Sequence, residues 1–550
     1  MREIIINRPT KALLIYPQFN APSFWNYRAT CELLGARYPA APLGLITVAA
    51  LLPQEWDIRL IDRNTGSLDL ADIDRADIIM TGGMLPQQRD LLQIIELCQS
   101  RGKPVVVGGP DVSSSPHIYE RADFQIRGEA ESVMAAFIAA WNAGERRGIF
   151  EGEKFQADVA ASPIPRFDLI RFQDYLYVSV QFSRGCPFNC EFCDIIELYG
   201  RVPRTKTTPQ MLAELDALYG LGFRGHVDFS DDNLIGNKKA LRSFLPHLKA
   251  WQETHGFPFT FSTEASINLA DDDALLDIMR DCNFFTIFVG IESPDAETLI
   301  AMQKKQNTRR SLAESVHKIY QAGIYVNAGF ILGFDTEKEG TAQGIVECIE
   351  ETSIPVSLVG LLYALPNTQL TRRLEREGRL YVGYDSNTEQ GDQCTGGLNF
   401  TTARPRRALL ADYVWVLDEV YRPAAYFKRV RHVGRALRRP SRQGAFSWKS
   451  LANDLAQFGW VLGSMSLRRP TLAFHFLRTI IDCAKYNPGA LESVVIMMAM
   501  YLHLGPFARQ VAAELKQQIG ELDSGKWVAP SLVMPDPPLV NPRRSVEVAH

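Results

Sequence analysis

Two long stretches of this chain alternate short β-branched runs with longer segments of helical period, and this pattern narrows the fold more than any other feature. In the first stretch the runs are ALLIYP (12–17), DIRLID (57–62), DIIMTG (77–82), PVVVGG (104–109) and DFQIRG (123–128). Strands separated by helical segments build parallel sheets, because a parallel neighbour requires a crossover long enough to hold a helix. Residues 10–145 are therefore predicted to form an open, doubly wound sheet. Ligands of such sheets sit outside the carboxyl ends of the strands, where glycine lets the backbone come close. Each of the last four runs closes on Gly, or on Asp with Gly shortly after. Asp62, Asn64, Gly82, Gly83, Gly108, Gly109 and Gly128 thus become candidate cofactor-binding positions along one edge. Read more plainly, these are the tight strand-to-helix turns that any sheet of this kind needs.

Residues 146–174 lack sustained periodicity and contain a polar, Pro-bearing run, so they read as a linker. The second series follows over 175–400 with YVSVQFS, HVDFS, FTFST, FFTIFVG, YVNAGFILG and VSLVGLLYAL, separated by amphipathic segments such as Gln210 to Leu218 and Lys239 to Trp251. Six βα units of this length predict a partial barrel. Helical signals dominate 401–520, and the Pro-rich 521–550 reads as a disordered tail. The 550 residues carry 59 Lys+Arg against 63 Asp+Glu, a balance that argues against a surface built for nucleic acid. The N-terminus shows no secretory pattern, and the apolar run Val494 to Leu504 is about half the ~20 residues that span a bilayer, so a cytoplasmic chain with a buried helix is expected.

Six of the nine cysteines (Cys31, Cys98, Cys282, Cys348, Cys394 and Cys483) are scattered, but Cys186-Pro187-Phe188-Asn189-Cys190-Glu191-Phe192-Cys193 gathers three in a Cys-x3-Cys-x2-Cys loop directly after a strand. A structural zinc site closes four ligands, and the next histidine is His226, inside another strand. A ferredoxin-type carrier places a fourth cysteine in the same run. Three thiolates would hold three irons of a cubane and leave the fourth open, which implies chemistry rather than electron storage.

This spacing, with Phe192 before the third cysteine and the loop after the first barrel strand, resembles the radical S-adenosylmethionine (SAM) superfamily. The resemblance implies a [4Fe-4S] cluster on Cys186, Cys190 and Cys193, with SAM chelating the open iron and reductive cleavage yielding a 5′-deoxyadenosyl radical. It also implies a partial (β/α)6 TIM barrel whose strand ends carry the site. Those ends read Phe229-Ser230-Asp231-Asp232-Asn233, Thr263-Glu264-Ala265-Ser266, Gly290-Ile291-Glu292-Ser293 and Ala364-Leu365-Pro366-Asn367-Thr368. Asp232 and Glu292, with Glu264, are the expected SAM contacts by position, since Asp-Asp-Asn replaces the usual Gly-Gly-Glu. Beside such a barrel, the N-terminal Rossmann-like (flavodoxin-like) sheet resembles that of the cobalamin-binding radical SAM class. Pro42-Leu43-Gly44-Leu45 and Gly128-Glu129-Ala130-Glu131 match its pattern. The histidine of Asp-x-His-x-x-Gly is replaced in Asp62-Arg63-Asn64-Thr65-Gly66, so cobalamin would bind without an imidazole below cobalt.

Motif order, with the helical region after the barrel, most resembles the hopanoid methylase branch. That likeness implies methyl transfer to an unactivated carbon of an apolar, lipid-like substrate. One SAM would methylate cobalamin, a second would furnish the radical, and a flavodoxin or ferredoxin would supply electrons. The same parts could serve a radical oxidation or cyclisation without methyl transfer; outside enzymes the rival is a cobalamin-dependent sensor, which has no use for a SAM barrel. Cys394 could face the cavity as a thiol donor but reads more simply as an inert loop cysteine. Arg422 to Arg442 contains eight Lys/Arg and no acid among interleaved apolar residues, an amphipathic pattern that can hold a chain at the inner face of an anionic membrane.

Overall fold

In the computed structural model, which describes residues 9–19, 22–383, 392–438 and 470–533, two parallel sheets meet across one interface. The strands in chain order are β1 (Lys11–Tyr16), β2 (Tyr38–Ala40), β3 (Asp57–Asp62), β4 (Ile78–Gly82), β5 (Val105–Gly108), β6 (Phe124–Arg127), β7 (Gly148–Glu151), β8 (Tyr175–Val180), β9 (Ser183–Arg184), β10 (Arg204–Thr205), β11 (Gly225–Phe229), β12 (Phe259–Glu264), β13 (Phe284–Glu292), β14 (Tyr325–Leu332) and β15 (Ser357–Leu361). The first sheet runs β3-β1-β4-β5-β6-β7 and is parallel throughout. Omitting β2, this is the flavodoxin order, whose strand direction of winding reverses between β1 and β4. Apolar clusters cover both faces, as a doubly wound sheet requires: Leu13, Ile79 and Val107 on one side, Leu14, Met80 and Val106 on the other.

The second sheet curls as a half-barrel in the order β15-β14-β13-β12-β11-β8-β2. Its strands alternate between full burial and partial exposure: in β11, Val227 and Phe229 are buried while His226 and Asp228 are half-buried. The buried set packs against outer helices such as Lys238–Thr254, which contributes Leu241, Phe244, Leu245, Leu248 and Trp251 at helical spacing. Each such side chain is worth about 1.5–3 kcal/mol when fully buried. The half-buried set lines the lumen.

Several features depart from the sequence expectation. β2 leaves the first domain and pairs with β8, adding a seventh strand to the expected six. Residues 146–174 are not all linker, because Gly148–Glu151 becomes edge strand β7 beside β6. The helical region is present as Arg406–Val420, Pro423–Ala436, Pro470–Tyr486 and Leu491–Asp523, and its apolar residues join the barrel core. The last helix is long and apolar enough to cross a membrane by length and composition, but 61% of its most apolar window is buried in the fold. The start of the expected disordered tail is ordered: the helix continues to Asp523, and Val533 N–H donates to Leu380 O at 2.8 Å. Residues 534–550 of that tail lie outside the described residues.

The basic segment is also recast. Tyr426, Phe427, Val430, Val433 and Leu437 are buried, so its apolar face packs inward rather than toward a bilayer. Its missing acids come from other elements: Arg429, 1% exposed, pairs with Glu350, and Arg435 pairs with Asp482. Arg439 and Arg442 lie outside the described residues.

Candidate active site

The cysteine loop leaves β9 at Gly185, whose φ of 97° suits glycine, and whose Cβ position lies 3.0 Å from Gly200 O. Cys186 N–H donates to that same carbonyl at 3.2 Å, closing the loop on itself. Three consecutive residues after β11 then address the loop and the strand end that leads into it. Asp231 accepts from Phe182 N–H at 3.0 Å and from the Ser183 amide. Asp232 Oδ2 accepts from Gly185 N–H at 2.8 Å. Asn233 Nδ2 donates toward Cys186 Sγ at 3.8 Å, while its Oδ1 accepts from Ser266 N–H at 3.2 Å. The Asp-Asp-Asn run therefore supports the loop, and one oxygen of Asp232 is already committed there.

The loop's other flank rests on the barrel's fourth strand and the turn after it. Glu292 ends β13 at a bulge with φ of 64°, a left-handed conformation uncommon for its type. It is ion-paired with Lys304, and both side chains are buried. Asn307 Nδ2 donates to Gly290 O and Ile291 O at 3.0 and 3.1 Å, holding the bulge. Gln306 Nε2 donates toward Cys190 Sγ at 3.9 Å, and Glu191 N–H donates to Met302 O at 3.0 Å. Lys304, Gln306 and Asn307 escape the sequence reading; the signal is the polar run Gln303-Lys304-Lys305-Gln306-Asn307 between two helices.

Burial raises all three thiols above the usual cysteine value, while Lys304 opposes this at Cys190. Among the described residues, no three His, Cys, Asp or Glu side chains gather around one point as a single ion requires. A cubane asks for a different arrangement, one thiolate per iron along a rim, and the loop's backbone turns supply three sulfurs on one short segment. The hydrogen-bond donors aimed at Cys186 and Cys190 suit thiolates.

Acids converge at the barrel mouth. Burial pushes Asp232 up to about 6 against the opposing Gly185 amide and Arg184. Glu264 ends β12 at the lumen, where its surroundings and then Asp228, Asp232 and Glu292 push it up to about 8. A cationic ligand group among these carboxylates would relieve their repulsion.

Facing this mouth is a cavity of about 470 Å³ at the switch point of the first sheet. Gly82, Gly83, Gly108, Gly109 and Gly128 line it from one side, and Gln181, Arg184 and Ser230 from the barrel. A Cβ on Gly82 would run into the Gly108 carbonyl, and one on Gly109 would lie 3.1 Å from Gly83 N and O, so side chains are excluded from this edge. Asp62 and Asn64 do not line the cavity. Asp62 accepts from Asn64 N–H and Nδ2 at 2.8 and 2.7 Å and from the Tyr175 hydroxyl at 2.8 Å, and Asn64 Oδ1 accepts from Phe19 N–H at 2.9 Å. Their polar atoms knit the β1 and β3 turns together and tie them to β8. Cys394 lies beside Gly360 on β15 and does not line this cavity.

A clamp closes the cavity's rim. Arg184, between β8 and the cysteine loop, reaches Glu129 at 3.1 Å and Glu131 at 2.6 Å across the interface, and Arg204 reaches Glu129 at 2.7 Å. The Glu129–Glu131 stretch thus joins the domains through charge.

Residues 180–349 match the radical SAM superfamily, and 368–517 match a domain of unknown function, DUF4070. An uncharacterized methyltransferase of Synechocystis sp. is 43% identical over 511 residues, covering 92% of this chain and 94% of the relative. A hopanoid C-2 methylase of Rhodopseudomonas palustris is 34% identical over 516 residues, covering 91% and 94%. The chain belongs to the radical SAM methyltransferases. As such it is an enzyme, and its fold agrees with that of OxsB, a cobalamin-dependent S-adenosylmethionine radical enzyme solved with aqua-cobalamin and S-adenosylmethionine bound. That likeness has a TM-score of 0.57 at 15% identity and covers 94% of this chain and 82% of the other. The shared fold spans both sheets and the helical region.

Proposed function

We propose that this enzyme methylates an unactivated carbon of an apolar, lipid-like substrate. Cys186, Cys190 and Cys193 would hold a [4Fe-4S] cluster; Asp232, Glu264 and Glu292 would surround SAM; and the glycine-edged cavity would take cobalamin. The observation that carries this reading is that the cavity and the cysteine loop open onto the same barrel mouth, with Arg184 between them. Likeness along the whole chain to proteins named methyltransferases supports methyl transfer, and the relative named hopanoid C-2 methylase supports a polycyclic lipid.

When bound, these groups supply a carbon-centred radical able to take hydrogen from an unactivated C–H bond, together with a transferable methyl group. The chain's own residues do the rest. Asp231, Asp232 and Asn233 fix the loop that presents the thiolates. The Lys304–Glu292 pair places one charge of each sign near Cys190, where it would face SAM. Arg184, Glu129 and Glu131 join the two domains at the rim of the cavity, where a drier site would protect a reactive intermediate. The Asp62–Asn64 turn offers no imidazole, and its polar atoms are already engaged. A flavodoxin- or ferredoxin-type carrier in the cytoplasm fits as reductant, with the substrate drawn from the inner face of the membrane.

Lipid extracts from hosts with and without the gene, grown on methyl-labelled methionine, test the reading. A labelled product one methyl heavier is expected. An unlabelled product lighter by two hydrogens would replace it with an oxidation or cyclisation.

A further inference from the structure

The geometry points to the outer rim of the cysteine loop as the docking face for an acidic one-electron carrier protein. This rests on the cluster reading above. Asn189, immediately before Cys190, reaches the surface and is held there by two neighbours: its Nδ2 donates to Gln303 Oε1 at 2.6 Å, and its Oδ1 accepts from Gln369 Nε2 at 3.0 Å. The loop crest is therefore a fixed surface feature placed one residue from a cluster ligand.

Three cations flank that crest without an ion-pair partner among the described residues. Lys305 and Arg309 follow Gln303 on one side, and Arg376 ends the helix that Gln369 begins on the other; all three are exposed. None of them has a carboxylate partner among the described residues. Three of the nearby acids are already engaged, Glu197 with Arg372 at 2.6 Å, Asp271 with Arg310 at 2.8 Å and Glu191 with Arg373 at 2.5 Å. This leaves half-buried Glu375 beside Arg376 as an acid without a salt bridge among the described residues. On the third side Arg201 donates to Pro187 O at 3.3 Å, placing another cation against the loop itself. The chain as a whole is net negative at -4, so a cationic collar at this spot is not an average property of its surface. Such a collar steers an acidic partner and sets its orientation more than its final affinity. The step is a single electron: the carrier is oxidised by one, the cluster is reduced by one, and no bond or proton moves.

The test uses the reconstituted full-length protein and its K305E/R309E/R376E variant, with a reduced acidic ferredoxin and with dithionite as alternative reductants. Stopped-flow absorbance reads cluster reduction, and calorimetry reads ferredoxin binding across a salt series. The expected result is an association rate about tenfold lower for the variant at low salt. Its salt dependence should be flatter, while its reduction by dithionite is unchanged. Equal ferredoxin rates and equal salt slopes in the two proteins overturn the docking face. Iron analysis keeps the two ideas separate: wild-type protein that binds ferredoxin salt-dependently but holds no cluster iron sinks the cluster assignment and leaves the face standing.

Discussion

His226 on β11 shows how single side chains in the lumen are set by their surroundings. Its Nε2 lies 2.8 Å from Ser262 Oγ and its Nδ1 3.2 Å from Thr260 O, with the rings of Tyr177 and Phe285 packed beside it. Burial lowers its pKa from 6.5 to about 4. The unfolded chain therefore takes the proton first, so the contribution to stability is complete above pH 6.5 and is lost as pH falls toward 4. Across that window it amounts to roughly 3 kcal/mol. Replacing His226 with Gln should flatten the fall in urea midpoint between pH 6.5 and 4; an unchanged slope would show that other groups govern acid unfolding. Gly290 makes a steric case. A Cβ there would collide with Glu292 Oε1 and with Lys304 Nζ at 2.6 Å, where both ends of an ion pair are buried. Gly290→Ala is expected to split the pair and weaken SAM binding at least tenfold by equilibrium dialysis, with cluster iron retained. Undiminished SAM binding would mean that the Lys304–Glu292 pair plays no part in that subsite.

At the scale of elements, the run after β11 acts as one unit on the segment from Phe182 to Cys186. Asp231→Ala leaves the Phe182 and Ser183 amides without their acceptor, and each unsatisfied buried donor costs about 1–3 kcal/mol. Lower thermal stability and a lower iron content after anaerobic reconstitution should appear together. Full iron with a lowered melting point would assign Asp231 to the strand end alone. The sequence made this loop legible because its three cysteines are local, and it made the two sheets legible because strand period and closing glycines are local too. β2 was not legible: Tyr38-Pro39-Ala40 is too short to show alternation, and its partner Tyr175–Tyr177 lies more than a hundred residues away. β7 was hidden for a related reason, since Gly148–Glu151 is an edge strand in a polar stretch with no buried residue to mark its face. The basic segment misled because its countercharges, Glu350 and Asp482, arrive from distant helices. That Asp62 and Asn64 bond to their own and a neighbouring turn was not legible either, because a turn at a strand's carboxyl end can spend its polar atoms on the turn or offer them to a ligand with the same sequence.

The whole molecule depends on how the two sheets are held together, and Arg184 is one of the groups that span them. The side chains of Glu129 and Glu131 are only 5% and 7% exposed, and burying a carboxylate there is costly without the arginine partners they have. Burial by itself would raise Glu131, but the hydrogen bonds and charge of Arg184 outweigh it and bring the carboxyl down to about 2. This contribution is present above pH 4.5 and is lost as pH falls through 2. Removing the arginine is harsher than protonating the acid, since it strands buried carboxylates; such breaks cost about 3–5 kcal/mol. Arg204 continues to pair with Glu129, so the loss falls mainly on Glu131. Arg184→Met, which keeps most of the packing stem, should therefore loosen the domain interface while leaving Cys186, Cys190 and Cys193 in place. The expected signature is cobalamin lost on gel filtration, iron content unchanged, and the single melting transition divided into two. Cobalamin retained at wild-type levels with a single transition at the wild-type temperature would show that apolar contacts, not this ion-pair clamp, close the cavity.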